Sequence, residues 1–135
     1  MGDAIIIGAG FHSDLTGREN IYMNGAILGM SIREIKSKIK DIIEFSGIKD
    51  FIDMPVKKYF SGMYLRLGFS VAIHSNADIY LFDEILAVGD EEFKKKCYNE
   101  INRLKEIDKT MIIVSHNRKI LKKFTDFIIE MKKFA

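Results

Sequence analysis

A chain of 135 residues, 47% hydrophobic and 30% charged, has enough apolar material for a packed core and too much of it for a disordered segment. Its 21 Lys and Arg against 19 Asp and Glu leave a net charge of +2, too small an excess to argue for nucleic acid or a charged membrane surface. A single cysteine, Cys97, excludes an internal disulfide and suits a reducing compartment.

The first apolar run, Ile5-Ile6-Ile7, reads as a short buried strand that turns at Gly8-Ala9-Gly10. With Asp3 ahead of it and no basic stretch, it is not expected to be a secretory signal. Thr16 and Glu19 have capping-box spacing, so a helix is predicted from near Gly17 to about Leu28. The stretch 20–32 is the nearest approach to a membrane span, but it is too short and holds two asparagines. Any membrane role is therefore expected to run through a partner.

Ser31 and Glu34 repeat the capping spacing. Ile35, Ile39, Ile42, Ile43 and Phe45 form the apolar stripe of a second helix, and Gly47 suits its end. Residues 51–60 are irregular. A third helix is predicted over Ser61 to Ile73, with Ser61-Gly62 at its start. The pattern then changes. Ile79-Tyr80-Leu81-Phe82 is a strand followed by Asp83-Glu84, and Asp90 caps a helix running to Ile107. Met111-Ile112-Ile113-Val114 is a strand followed by Ser115-His116. A short helix begins near Asn117, and Phe127-Ile128-Ile129 is a last predicted strand. Strands without alternation are expected to be covered on both faces, as in a parallel sheet. The reading is α/β: a helical stretch over about 11–75, then a parallel-sheet part over about 76–135.

Ligands of open parallel sheets bind beyond the carboxyl ends of the strands. Asp83-Glu84 and Ser115-His116 end two such strands. An acid there can hold Mg²⁺ while its neighbour orients a nucleophilic water, and a histidine can reach a terminal phosphate. Taken singly, each is equally an ordinary polar loop residue. Ser61-Gly62 at a helix start suits a phosphate, and suits an ordinary serine cap as well. Met63, Leu65, Leu67, Phe69 and Val71 read as packing. Lys57, Lys58 and Lys94 to Lys96 read as solvated faces. His12, His74 and Cys97 have no metal-ligand spacing.

Taken in order, the motifs resemble those of ABC transporter ATP-binding subunits of the polysaccharide, O-antigen and teichoic-acid export type. The resemblance is carried by Gly8-Ala9-Gly10-Phe11-His12, Leu15-Thr16-Gly17-Arg18-Glu19-Asn20 and Asn24-Gly25-Ala26. Tyr59-Phe60-Ser61-Gly62-Met63-Tyr64-Leu65-Arg66 resembles the signature motif, and Ile79 to Glu84 the Walker B strand. Leu86-Ala87-Val88-Gly89-Asp90 with Phe93 and Cys97 resembles the D-loop and its helix, and Ser115-His116 the switch histidine. The resemblance implies a partial P-loop NTPase-like nucleotide-binding domain with ATP and Mg²⁺ as cofactors. Asp83 would hold the metal, Glu84 would be the general base and His116 would contact the γ-phosphate. Ser61, Gly62 and Met63 would face ATP on a second, head-to-tail ATPase subunit, and Asp90 would link the two sites. The helical stretch from Phe11 to about Ile48 would meet a transmembrane permease subunit at the inner face of the cell membrane.

Three departures accompany the resemblance. No G-x-x-x-x-G-K-[ST] occurs, so the phosphate loop is missing. Ile6 stands where a polar or acidic residue is expected. Phe60 stands where the signature serine is expected. The chain is therefore expected to be inactive alone. The alternatives are a non-catalytic module that docks on a transporter or a full-length ATPase, or the product of a split or decayed gene.

Overall fold

The computed structural model describes residues 4–6, 10–83 and 90–131. Helix α1 spans Gly17–Ile27, and its start is a complete capping box. The Thr16 hydroxyl accepts from the Glu19 N–H, and the Glu19 carboxylate accepts from the Thr16 N–H, both at 3.1 Å. Helix α2 spans Ile32–Ser46. The Ser31 hydroxyl accepts from the Glu34 N–H at 3.1 Å, and the chain leaves through Gly47 at φ +70°, where a side chain would be strained. Two single 3₁₀ turns, Lys49–Phe51 and Val56–Lys58, carry the chain to helix α3, Ser61–His74.

Helix α3 is the partition between two cores. Leu67 and Val71, one turn apart, pack with Ile21 of α1 and Ile35, Ile42 and Ile43 of α2. Phe69, Ala72 and Ile73 face the other way, towards the sheet. The sheet has order β1–β2–β3, with β1 at Ala4–Ile6, β2 at Ile79–Asp83 and β3 at Thr110–Val114, all parallel. Helix α4, Glu91–Glu106, makes the crossover from β2 to β3, and α5, Arg118–Phe124, follows. Tyr80 and Phe82 of β2, Phe93, Cys97, Ile101 and Leu104 of α4, and Ile120 and Phe124 of α5 close the second core. Full burial of a large apolar side chain contributes about 1.5–3 kcal/mol, so these residues, rather than surface ion pairs, hold the layers together.

Three sequence expectations need correction. Ser61 is not the cap of α3. Phe60 holds that position in extended conformation, no side chain caps the helix, and Ser61 is the first helical residue. Strand β3 is not covered on both faces: Met111 and Ile113 turn towards the core, whereas Ile112 is 53% and Val114 49% exposed. Helices described here pack on one side of it only. Residues 127–129 form no strand. They lack a hydrogen-bonded neighbour in the three-stranded sheet, and an apolar run without a ladder stays irregular.

Candidate functional site

The register of the sheet decides which candidate residues share an edge. Asp83 pairs with Val114, so the chain leaves β2 and β3 at the same level, and Ser115-His116 begins directly beyond that level. The turn after β3 is fixed locally. The Ser115 hydroxyl accepts from the Asn117 N–H at 3.0 Å, and the Asn117 side chain caps α5 by accepting from the Lys119 N–H at 3.0 Å and the Ile120 N–H at 3.4 Å. This presents His116 on the exposed side of the turn. Asp83 is described as the last strand residue only, without its side chain. Glu84, the D-loop candidates Leu86 to Gly89, and the side chain of Ile6 lie outside the described residues.

The start of α3 is a second group of candidates. The first helical hydrogen bond runs from the Tyr64 N–H to the Phe60 carbonyl at 3.1 Å, so the N–H groups of Ser61, Gly62 and Met63 have no acceptor in the helix. A Cβ built on Gly62 meets nothing within 4 Å, so another molecule can approach the backbone closely there. Phe60 stands beside it, 79% exposed. Met63 is half-buried against the helical core, which limits what it can offer a ligand. Uncapped N–H groups and the positive end of a 14-residue helix suit a phosphate group.

Asp90 joins these two regions mechanically. Its carboxylate accepts from the Phe93 N–H at 2.8 Å, capping α4, and pairs with the Arg66 guanidinium on α3. Arg66 also lies over the Phe93 ring, 5.1 Å from its centroid. The Phe93 N–H bond first, and then Arg66, hold the Asp90 carboxyl below the usual carboxylate range. Arg66 therefore ties the helix that begins at Ser61 to the residue that caps α4. Sequence reasoning gave Arg66 no role. The usable signal was its place on the same helix face as Gly62, four residues on.

Asn20 was also passed over as part of a motif. It is fully buried on α1. Its amide nitrogen donates to the carbonyls of His12, Leu15 and Thr16 at 3.0, 3.2 and 2.9 Å, and its oxygen accepts from the His12 N–H at 2.7 Å. These bonds anchor the loop before α1, whose Phe11 ring packs on Tyr64 of α3 at 4.8 Å between centroids. A cavity of about 320 Å³ lies at the other end of the strands, bordered by Lys38, His74, Arg103 and Lys109. Its cations are already engaged: Lys38 donates to the His74 carbonyl at 2.9 Å, Arg103 to Glu100 at 2.9 Å, and Lys109 lies 3.8 Å from Asp78.

No family model matches the chain. An O-antigen export system ATP-binding protein of Klebsiella pneumoniae is 46% identical over 123 residues, which are 91% of this chain and 50% of that protein. A teichoic acids export ATP-binding protein of Lactiplantibacillus plantarum is 50% identical over 113 residues, 84% of this chain and 31% of its own length. A dimeric ATP-binding cassette in a post-hydrolysis state, bound to ADP and Pi, superposes with a TM-score of 0.69 at 20% identity, over 87% of this chain and 53% of that one. That likeness establishes the fold. The chain spans half or less of the length of these curated relatives. The ordered motifs, the parallel sheet with its helical layer, and this level of identity make the chain a homologue of part of the O-antigen and teichoic-acid export ATP-binding proteins, with the fold of part of an ABC ATPase cassette.

Proposed function

We propose that this chain forms the signature-helix and Walker B part of an ATP-binding subunit that powers export of a surface polysaccharide. The observation that carries the reading is the register placing Asp83 level with Val114, so that the acid and the Ser115-His116 turn share one sheet edge. The uncapped start of α3, open above Gly62, supports a phosphate contact. In this reading MgATP supplies the phosphoryl group that is transferred to water. Asp83 would hold the magnesium ion, which would offset the phosphate charge, Glu84 would take the proton of the attacking water, and His116 would contact the terminal phosphate. Ser61, Gly62 and Met63 turn their N–H groups to nucleotide held by a second subunit, and Asp90 with Arg66 keeps the two regions in register.

Without a G-x-x-x-x-G-K-[ST] segment in these 135 residues, the triphosphate loses most of its contacts, and the chain alone does not hydrolyse ATP. Among the described residues no helix is long and apolar enough to cross a membrane. A permease subunit, met by the helical stretch from Phe11 to about Ile48, supplies the membrane attachment at its cytoplasmic side.

The test is a linked chimera. The portion of the Klebsiella relative outside its match is joined covalently to this chain, and ATPase activity is measured. Activity should appear and should vanish with Glu84→Gln while ATP binding persists, since the amide keeps the shape but cannot act as base. Phe60→Ser should raise the rate, because one preorganised donor to developing phosphate charge is worth about 10²–10³ in kcat. A folded chimera that binds ATP without hydrolysing it, with or without Phe60→Ser, refutes the assigned roles.

A further inference from the structure

Helix α3 begins without the local support that fixes the other helices. Thr16, Ser31, Asp90 and Asn117 hold the first turns of α1, α2, α4 and α5 with a side-chain oxygen, whereas no side chain caps α3. Phe60, in the capping position, is extended, and its ring lies largely in solvent. The N–H groups of Ser61, Gly62 and Met63 are therefore placed by the residue before it. That residue, Tyr59, is half-buried against the helical core, and its hydroxyl donates to the Phe51 carbonyl at 2.8 Å. The hydroxyl also lies against Gly17, where a Cβ would stand 2.2 Å from its oxygen, so the first residue of α1 has to be glycine for the phenol to seat. The turn that receives the hydroxyl is itself bound to α1. The Arg18 N–H donates to the Ile52 carbonyl at 2.9 Å, and the Gly17 N–H to the Met54 carbonyl at 3.3 Å. One phenol thus references the start of α3 to the start of α1.

We propose that Tyr59 is a positioning residue: its hydrogen bond to Phe51, seated over Gly17, sets where the N–H groups of Ser61, Gly62 and Met63 meet the phosphate of a nucleotide. The inference rests on the proposed function and adds to it a residue that acts through its neighbours. Tyr59 and Phe60 are both extended, so the backbone between the phenol and Ser61 has no bend to absorb a displacement. Accuracy matters there, because misplacing groups that act on a reacting phosphate by about 1 Å costs on the order of 10²-fold in rate. Tyr59→Phe keeps the ring and its packing and removes only the tether, so the expected loss is about tenfold, the scale of one hydrogen bond.

Two measurements test it. In the 135-residue chain, Tyr59→Phe should speed amide exchange at Tyr64 and Leu65, the first amides bonded within α3, by about tenfold and leave residues 67–73 unchanged. In the linked chimera, the same substitution should lower kcat by about tenfold without weakening ATP binding, since the affinity comes from the grafted portion. Ser75→Ala removes a side-chain hydrogen bond at the far end of the same helix and controls for destabilisation alone. It should alter neither the exchange at Tyr64 and Leu65 nor kcat. The proposal is overturned if Tyr64 and Leu65 exchange at the native rate in Tyr59→Phe, if the whole helix loosens equally, or if kcat falls no further than in Ser75→Ala. A chimera that hydrolyses ATP equally well with Tyr59→Phe overturns this inference alone. A native chimera that binds ATP and is inert overturns the functional reading, and the exchange rates then decide by themselves whether Tyr59 holds the start of α3.

Discussion

Replacing Asn20 by Ala should destabilise the chain by about 2 kcal/mol, and the geometry shows where the loss arises. Four hydrogen bonds disappear, but three of their partners keep another. The Leu15 carbonyl still accepts from the Val56 N–H, the His12 carbonyl from the Leu15 N–H, and the Thr16 carbonyl from the helical N–H of residue 20. Only the His12 N–H is left without an acceptor, at a cost of about 1–3 kcal/mol. The lost amide contacts add to this, and the better helix propensity of alanine offsets about 0.5 kcal/mol. Urea denaturation followed by circular dichroism gives the change in stability, and hydrogen exchange at 10–16 shows whether the loop loosens. Asn20→Asp supplies the internal check. It keeps an acceptor for His12 but sets a buried carboxylate against three carbonyl oxygens, which raises its folded pKa. The folded state then binds more protons than the unfolded one, so this variant should gain stability as pH falls towards the ordinary carboxylate range. A loss below about 0.5 kcal/mol for Asn20→Ala would refute the assignment of Asn20 as the anchor of this loop.

Gly17→Ala should cost about 1–3 kcal/mol despite the helical position, because its Cβ would stand 2.2 Å from the Tyr59 hydroxyl and 3.1 Å from the Ile52 carbonyl oxygen. Adding Tyr59→Phe should recover part of that loss in thermal melts. Asp90 titrates low in the folded chain because of the Phe93 N–H and then Arg66, so its contribution is present above the unfolded carboxylate range and is lost as pH falls through the folded pKa. The Tm difference between the native chain and Asp90→Asn should therefore be largest at neutral pH and shrink below about pH 4. The Cys97 thiol, pushed up to about 12 by burial, should react with Ellman's reagent at pH 8 on the order of a hundredfold more slowly in the folded chain than in urea.

Local chemistry determined much of the secondary structure. Capping residues such as Thr16 with Glu19 and Asp90, the stop at Gly47 and the apolar stripe of α2 act within a few residues, so they could be read directly and recur in the structure. The order of motifs was likewise legible, because spacing along the chain survives folding, and it pointed to the family that the relatives share. Tertiary structure decided what depends on neighbours distant in sequence. Whether 127–129 becomes a strand, and whether both faces of β3 are covered, depends on a hydrogen-bonding edge and a helical layer that no local pattern encodes. The roles of Arg66 and Asn20 were hidden for the same reason. A guanidinium that joins α3 to α4 across 24 residues, and an amide that gathers a preceding loop, become visible only when the backbone brings their partners within reach.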